Sequence, residues 1–201
     1  MWWENYYEKE LNSLKELEFY EINSCTMFIM PVDYGGKVFS KVMEVDDEFL
    51  SPLRPVDLIK KNCSYFGVSF ESRKKGTTEL IGYTRKIPIV IEPANHLFFF
   101  PTTSPNRPEC AWIAHEHAEN FRRVGPQQTL ITFSDKQSHV FQVSFGTVET
   151  QMLRTALLKS KLLQRIEGNQ KKSFYLHGPK LSKASENFSD YGNDSFPKGQ
   201  K

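Results

Sequence analysis

An antiparallel, β-rich α+β domain is what this sequence predicts, on two observations. The middle of the chain is a series of short β-prone runs that end in turn signals and fold back in pairs, Ile87–Ile91 with His96–Phe100 and Thr129–Ser134 with His139–Ser144. Around these runs stand two amphipathic helical patterns, a helix near 55–66 and a long helix near 147–167. The chain has 201 residues, 39% of them hydrophobic and 16 of them Phe, so it can bury a sizeable core. The pattern divides into an N-terminal amphipathic extension at 1–18, a single body at 19–167 and a tail at 168–201.

Taken in order, residues 2–17 predict a helix, because Trp3, Tyr7, Leu11 and Leu14 recur on one face. Phe19–Ile22 and Cys25–Pro31 read as two short strands around an Asn23–Ser24 turn, and Val38–Val45 alternates into a third after Gly35–Gly36. In the helix near 55–66, Pro55 suits the first turn, Val56, Ile59, Cys63 and Phe66 share a face, and Gly67 marks the end. The run at 71–78, ESRKKGTT, reads as a solvated turn that presents Arg73, Lys74 and Lys75, with Thr77 and Thr78 as hydroxyl donors. Leu80–Arg85 reads as a strand leading into the Ile87–Ile91 hairpin, with Tyr83, Ile87, Ile89 and Ile91 on one sheet face. In the long helix, capped by Thr147 and stopped by Gly168, Val148, Met152, Ala156, Leu163 and Ile166 line one side, and Arg154, Lys161 and Arg165 share another. The tail at 168–201 is rich in Ser, Lys, Asn and Gly and predicts disorder, apart from an apolar island at Phe174–Pro179.

Charge is unevenly spread beneath a formal net of +2. Residues 1–50 carry 4 Lys/Arg against 11 Asp/Glu, and residues 51–201 carry 22 against 13. An acidic head on a basic body suits a polyanion-binding surface. No apolar run reaches the length of a membrane span, and the aromatic, acidic N-terminus does not read as a signal peptide, so a cytosolic protein is expected. Three widely spaced cysteines, Cys25, Cys63 and Cys110, fit reduced thiols better than a disulfide framework.

The stretch 95–123 poses the chemical question. On a strand, His115 and His117 would share a face, but Cys110 would be out of phase with both, and no CxxC or HExxH supplies further ligands. No metal and no cofactor are therefore expected. No GxSxG and no dinucleotide fingerprint are present, so no catalytic residue is assigned. The binding reading uses more of the chain. Arg73, Lys74, Lys75 and Thr77 lie in one predicted turn, and Arg107 sits in another that flanking prolines stiffen. His115 and His117 are second-line contacts, and Arg154, Lys161 and Arg165 form an alternative face. Two readings stand beside it: a zinc-dependent nucleic-acid enzyme using Cys110, His115 and His117, and a protein-interaction scaffold using the aromatic N-terminal segment.

At these residues the sequence resembles the ComK family of competence transcription factors of bacilli. The matching pieces run in one order from Tyr20 to Ile166: YEIN, GKVFSKVME, CSYFG, SRKKGT, FFFPTTSPNRPECAWIAHEH and QMLRTALLKSKLLQRI. The combination FPT…RPxCxWIxHxH is the most specific of them. The resemblance implies a DNA-binding, autoregulatory activator of DNA-uptake genes. It implies recognition of paired AT-rich boxes through the minor groove by paired dimers, work with RNA polymerase, and a cytoplasmic, nucleoid-associated location. It also implies a C-terminal motif gripped by an adaptor of a Clp protease, here matched by Phe174, Leu176 and Pro179, with Gly178 as an extra residue before the proline.

Overall fold

A computed structural model describes residues 10–177 of the chain, with side-chain surroundings through 169. Trp3, Tyr7, Pro179 and the rest of the tail lie outside the described residues.

The fold is α+β, with two sheets and three helices over most of the described chain. Seven strands form the larger sheet: β1 (Lys15–Glu16), β2 (Thr26–Tyr34), β3 (Lys37–Glu44), β4 (Glu48–Ser51), β5 (Ile89–Glu92), β6 (Leu97–Pro101) and β7 (Trp112–Ala114). Their order is β1-β4-β3-β2-β7-β6-β5, and every pairing is antiparallel except β1 with β4. Three more strands, β8 (Ala118–Gly125), β9 (Gln128–Phe133) and β10 (Ser138–Phe141), form an antiparallel meander in the order β10-β9-β8. The helices are α1 (Pro55–Tyr65), α2 (Phe70–Ile81) and α3 (Phe145–His177).

The period-2 alternation of the strands explains how these pieces layer. In β6, Phe98, Phe99 and Phe100 are all fully buried, yet successive rings serve opposite faces. Phe99 joins Ile29, Val42, Trp112 and the Leu58, Ile59 and Cys63 side chains of α1. Phe100 joins Phe28, Ile113, Phe133, Phe141 and Val148, so the meander and α3 cover the other face. Phe98 meets Leu80 and Ile81 of α2 and Leu158 of α3 at the β5 edge. Each buried phenylalanine contributes about 2–3 kcal/mol of transfer free energy, so this aromatic run anchors three layers at once.

Several elements follow the sequence expectation. The buried face of α1 includes Val56, Ile59 and Cys63, and Gly67 takes a left-handed φ of 78° just past its end. The hairpins β5–β6 and β9–β10 lie where alternation places them. Others differ. The predicted N-terminal helix stops at residue 13; Lys15–Glu16 then pair with β4, and Leu11 packs on Val32 and Leu50. Phe19–Ile22 forms no strand; Tyr20 and Ile22 are buried and the segment hangs on Asn62 of α1. The Asn62 Oδ1 accepts the Ile22 N–H at 2.8 Å, and its amide donates to the carbonyls of Tyr20 and Leu58, each at 3.0 Å.

The largest correction concerns 70–85. The run ESRKKGTT belongs to a helix, α2, and Leu80–Ile81 are its last turn rather than a strand. Ser69 caps it by accepting the Ser72 N–H at 3.2 Å, and Gly82 closes it with a left-handed φ of 78°. Phe70, Thr77, Leu80 and Ile81 form its buried face, a stripe that Gly76 in mid-helix had hidden. Tyr83, expected on a sheet face, is 38% exposed. In α3 the cap is Ser144, not Thr147, and the buried face is Val148, Gln151, Thr155 and Leu158. Ala156 is exposed, and Leu153 is 68% exposed. The helix also runs through Gly168 to His177, where the sequence predicts a stop and a disordered tail. An isolated glycine weakens a helix by only ~1 kcal/mol and ends it only when the backbone turns left-handed there. Among the described residues, no helix is long and apolar enough to cross a membrane.

Candidate nucleic-acid interface

The predicted cations separate once α2 is a helix. Arg73 turns inward: its guanidinium donates to the Ile91 carbonyl at 3.1 Å, and its Nε is buried without a partner. It therefore pins α2 to strand β5. Thr77, expected as a phosphate donor, is 2% exposed and faces the core. Lys75 is exposed. Lys74 is half-buried, with its Nζ 3.6 Å from Glu71. A helix turns ~100° per residue, so three consecutive cations cannot share a surface as they would at the tip of a turn.

What the fold assembles instead is a groove of about 460 Å³ between α1, α2 and two loops. Lys60 comes from α1 and Lys74 from α2. Arg85 and Lys86 come from the connection between α2 and β5, and Ser104, Pro105 and Asn106 from the loop that carries Arg107. Glu71 is the acidic residue among those lining it. The connection enters through Gly82 and leaves through Pro88, and Lys86 is held at a left-handed φ of 49°. Arg85 is exposed at its tip. Arg107 itself is exposed, and its guanidinium lies 3.3 Å from the exposed Glu109 carboxylate, an ion pair that water largely screens. The Arg107 loop and Lys74 thus border one groove, while Arg73 does not reach it.

The alternative face on α3 proves to be a neighbour of this groove. Arg154 donates to the Arg85 carbonyl at 3.1 Å and stacks 4.1 Å over the Tyr83 ring. Lys161 donates to the Leu80 carbonyl at 3.0 Å. Both side chains tie α3 to the end of α2 and to the Arg85 connection, whereas Arg165 is exposed. A second depression joins Arg85, Lys86 and Arg154 to Ser144, Gly146 and Thr147 at the N-terminus of α3. The basic surface therefore continues from α1, across the Arg85–Lys86 connection, to the end of α3 where backbone N–H groups point outward.

His115 and His117 lie in the turn between β7 and β8, not on a strand. The Nε2–H of His117 donates to the Ser24 carbonyl at 2.8 Å, and its Nδ1 bonds the Ser134 hydroxyl at 2.6 Å, so both ring nitrogens are engaged. Burial holds the His115 pKa below the ordinary histidine value, against the opposing pull of Glu116. Glu116 is in turn paired with Lys159 at 2.5 Å. Neither histidine is among the residues lining the groove. Cys110 precedes β7 and the histidines follow it, which separates thiol from imidazole by ~16 Å of extended chain. The Cys110 thiol is buried and pushed up to about 11. No cluster of three metal-ligating side chains occurs among the described residues. The zinc reading of Cys110, His115 and His117 is thereby corrected.

Lys60, Arg85 and Lys86 were not among the expected contacts. The signal for the last two was available: a basic pair between Gly82 and Pro88, two residues that break regular structure. The expected adaptor-motif residues Phe174 and Leu176 stand on the final turns of α3, and Pro179 lies outside the described residues.

Comparison with known proteins bears on this surface. Residues 17–167 match the family described as ComK protein. A curated relative, the competence transcription factor of Bacillus subtilis (strain 168), is 37% identical over 151 residues, which span 75% of this chain and 79% of that protein. No solved structure matches.

Proposed function

The chain belongs to the ComK family, and from that membership and its basic groove we propose that it is a competence transcription factor that binds AT-rich duplex DNA through that groove. The carrying observation is the convergence of Lys60, Lys74, Arg85 and Lys86 from three separate elements onto one depression with a single carboxylate, Glu71. Cations brought together from distant positions in the sequence form a built charge surface, not a by-product of composition. Lysine and arginine that neutralise phosphates release condensed counterions, so the affinity weakens as salt rises. Ser104 and Asn106 add neutral donors beside the cations, and the exposed Arg107 follows them on a loop that Pro105 and Pro108 stiffen. The protein acts as a regulator and not as an enzyme.

Family membership also supports recognition of paired boxes from the minor-groove side, autoregulation, work with RNA polymerase, and delivery to a Clp protease through Phe174, Leu176 and Pro179. Self-association has a candidate contact in Leu153 and Leu157, exposed by 68% and 37% on the outer side of α3.

The test is Arg85→Ala combined with Lys86→Asn, since asparagine tolerates the left-handed backbone at position 86. Binding to an AT-rich duplex is measured by fluorescence anisotropy across a salt series. Two lost phosphate contacts, each with a slope of ~0.9, lower the salt slope by about two and weaken binding on the order of thirtyfold near 0.15 M salt. A folded double variant with unchanged affinity and slope would remove the groove from DNA binding.

A further inference from the structure

The meander presents a sheet face with exposed side chains among the described residues. Directly opposed residues in an antiparallel ladder point the same way, so the register assigns both faces. Phe121, Ile131 and His139 form one inward row, and Arg123, Thr129 and Phe141 the next. Ile131, Thr129 and Phe141 are buried, which identifies the inner side. The outward rows are Asn120 with Thr132 and Ser138, then Arg122 with Leu130 and Val140. Val140 is 48% exposed, and Val124 is 43% exposed beside the irregularity between Arg123 and Gly125.

Three features distinguish this face from an ordinary solvated sheet. It puts apolar side chains, Val124, Leu130 and Val140, where polar-out alternation calls for charged ones. Its polar members are neutral: Asn120, Thr132 and Ser138, with Gln128 and Gln142 joined at 3.3 Å at its end. Those ladder rows carry no carboxylate, although charged residues make up 25% of the chain. Arg122 is exposed on the face. The neighbouring Glu119 is turned to Lys136 at the far end of the meander.

We propose that this outer face of the β8–β9–β10 sheet is a second DNA-contact surface, laid against the sugar edges of the duplex whose phosphates the basic groove holds. The inference rests on the DNA-binding reading above. Sugar edges are apolar and base edges offer hydrogen-bonding groups, which valine, leucine, asparagine, threonine and serine can meet. Phosphates on either side exclude carboxylates and attract Arg122. The chain leaves this sheet at the depression that shares Arg85 and Lys86 with the groove. Gln142 leads into Ser144, Gly146 and Thr147, which line the depression with Arg85 and Lys86. Phe121 packs 5.3 Å from Phe145, and the Thr129 hydroxyl donates to the Val143 carbonyl at 2.8 Å, so the sheet is fixed to the start of α3.

The test uses the full chain and an AT-rich 40-base-pair duplex (probe length of about four helical turns). Val140→Glu puts a carboxylate on an exposed position, and Arg122→Ala removes a cation without touching the inner rows. Circular dichroism confirms the fold, anisotropy gives affinity against salt, and sedimentation velocity without DNA gives the oligomeric state. The expected result is a loss of about tenfold or more for Val140→Glu, and a salt slope lower by about one for Arg122→Ala. Unchanged DNA affinity in both variants, while Arg85→Ala with Lys86→Asn still loses binding, overturns this proposal and leaves the groove reading intact. An altered sedimentation coefficient for Val140→Glu with unchanged DNA affinity also overturns it, because the face then meets protein. Loss of binding in the sheet variants alone, with none in the groove variant, supports the face and refutes the groove.

Discussion

Replacing Arg73 by Ala should destabilise the protein and leave its charge surface almost untouched, the reverse of what three consecutive cations suggest. The Arg73 guanidinium donates to the Ile91 carbonyl at 3.1 Å and is the polar link from α2 to the edge strand β5. Hydrogen bonds from charged groups contribute about 1.5–3 kcal/mol, and truncation leaves the Ile91 carbonyl without that donor. For a chain of this size, each 1 kcal/mol moves the melting temperature by ~2–4 °C, so a fall of about 3–12 °C is expected. Lys75→Ala provides the control, because Lys75 is exposed on the same helix. It should change stability by under ~0.5 kcal/mol. Urea unfolding followed by circular dichroism measures both, with the midpoint falling for Arg73→Ala at an unchanged slope. Equal midpoints for wild type and Arg73→Ala, or an Arg73→Ala protein that keeps its stability but loses DNA binding, would refute the inward assignment and restore Arg73 to the interaction surface.

Two further outcomes follow from buried ionisable groups. Burial pushes the Cys63 and Cys110 thiols up to about 11, while Cys25 is exposed. One fast and two slow thiols are therefore expected in a titration with an aromatic disulfide at pH 8, and all three should react at once in denaturant. Burial also lowers the His115 and His139 pKa values. In the folded state these rings resist protonation, so the unfolded chain takes up protons first as pH falls through ~6.5. Stability should be flat above that value, fall below it, and level off again beneath the folded pKa values. The pH dependence of the urea midpoint checks this, and His115→Gln should shrink the fall.

Much of the scaffold was legible from local pattern. The Phe98–Phe100 run and the β9–β10 alternation are governed by a period of two, which a short window reveals. The helix at 55–65 announces itself by Pro55, an apolar face and Gly67. The 70–81 segment was not legible. Its stripe of Phe70, Thr77, Leu80 and Ile81 is sparse, and three cations with a glycine mimic a turn. The His115 and His117 pair failed for a related reason. Alternation was assumed to continue beyond Ala114, but the chain turns there, and hydrogen bonds to Ser24 and Ser134 decide where the His117 ring goes.

The sequence by itself determined the class of the fold, the aromatic strand core and the family, because these depend on apolar periodicity and on residues in a fixed order. Only the tertiary structure decided which cations are available. Lys60, Lys74, Arg85 and Lys86 face one groove because α1, α2 and the Gly82–Pro88 connection pack beside the β5 edge. Arg73 and Arg154 are engaged by the Ile91 and Arg85 carbonyls because that packing brings backbone acceptors within reach. A charge count shows how many cations exist. Which of them remain free for a phosphate depends on long-range contacts, and no local window contains those.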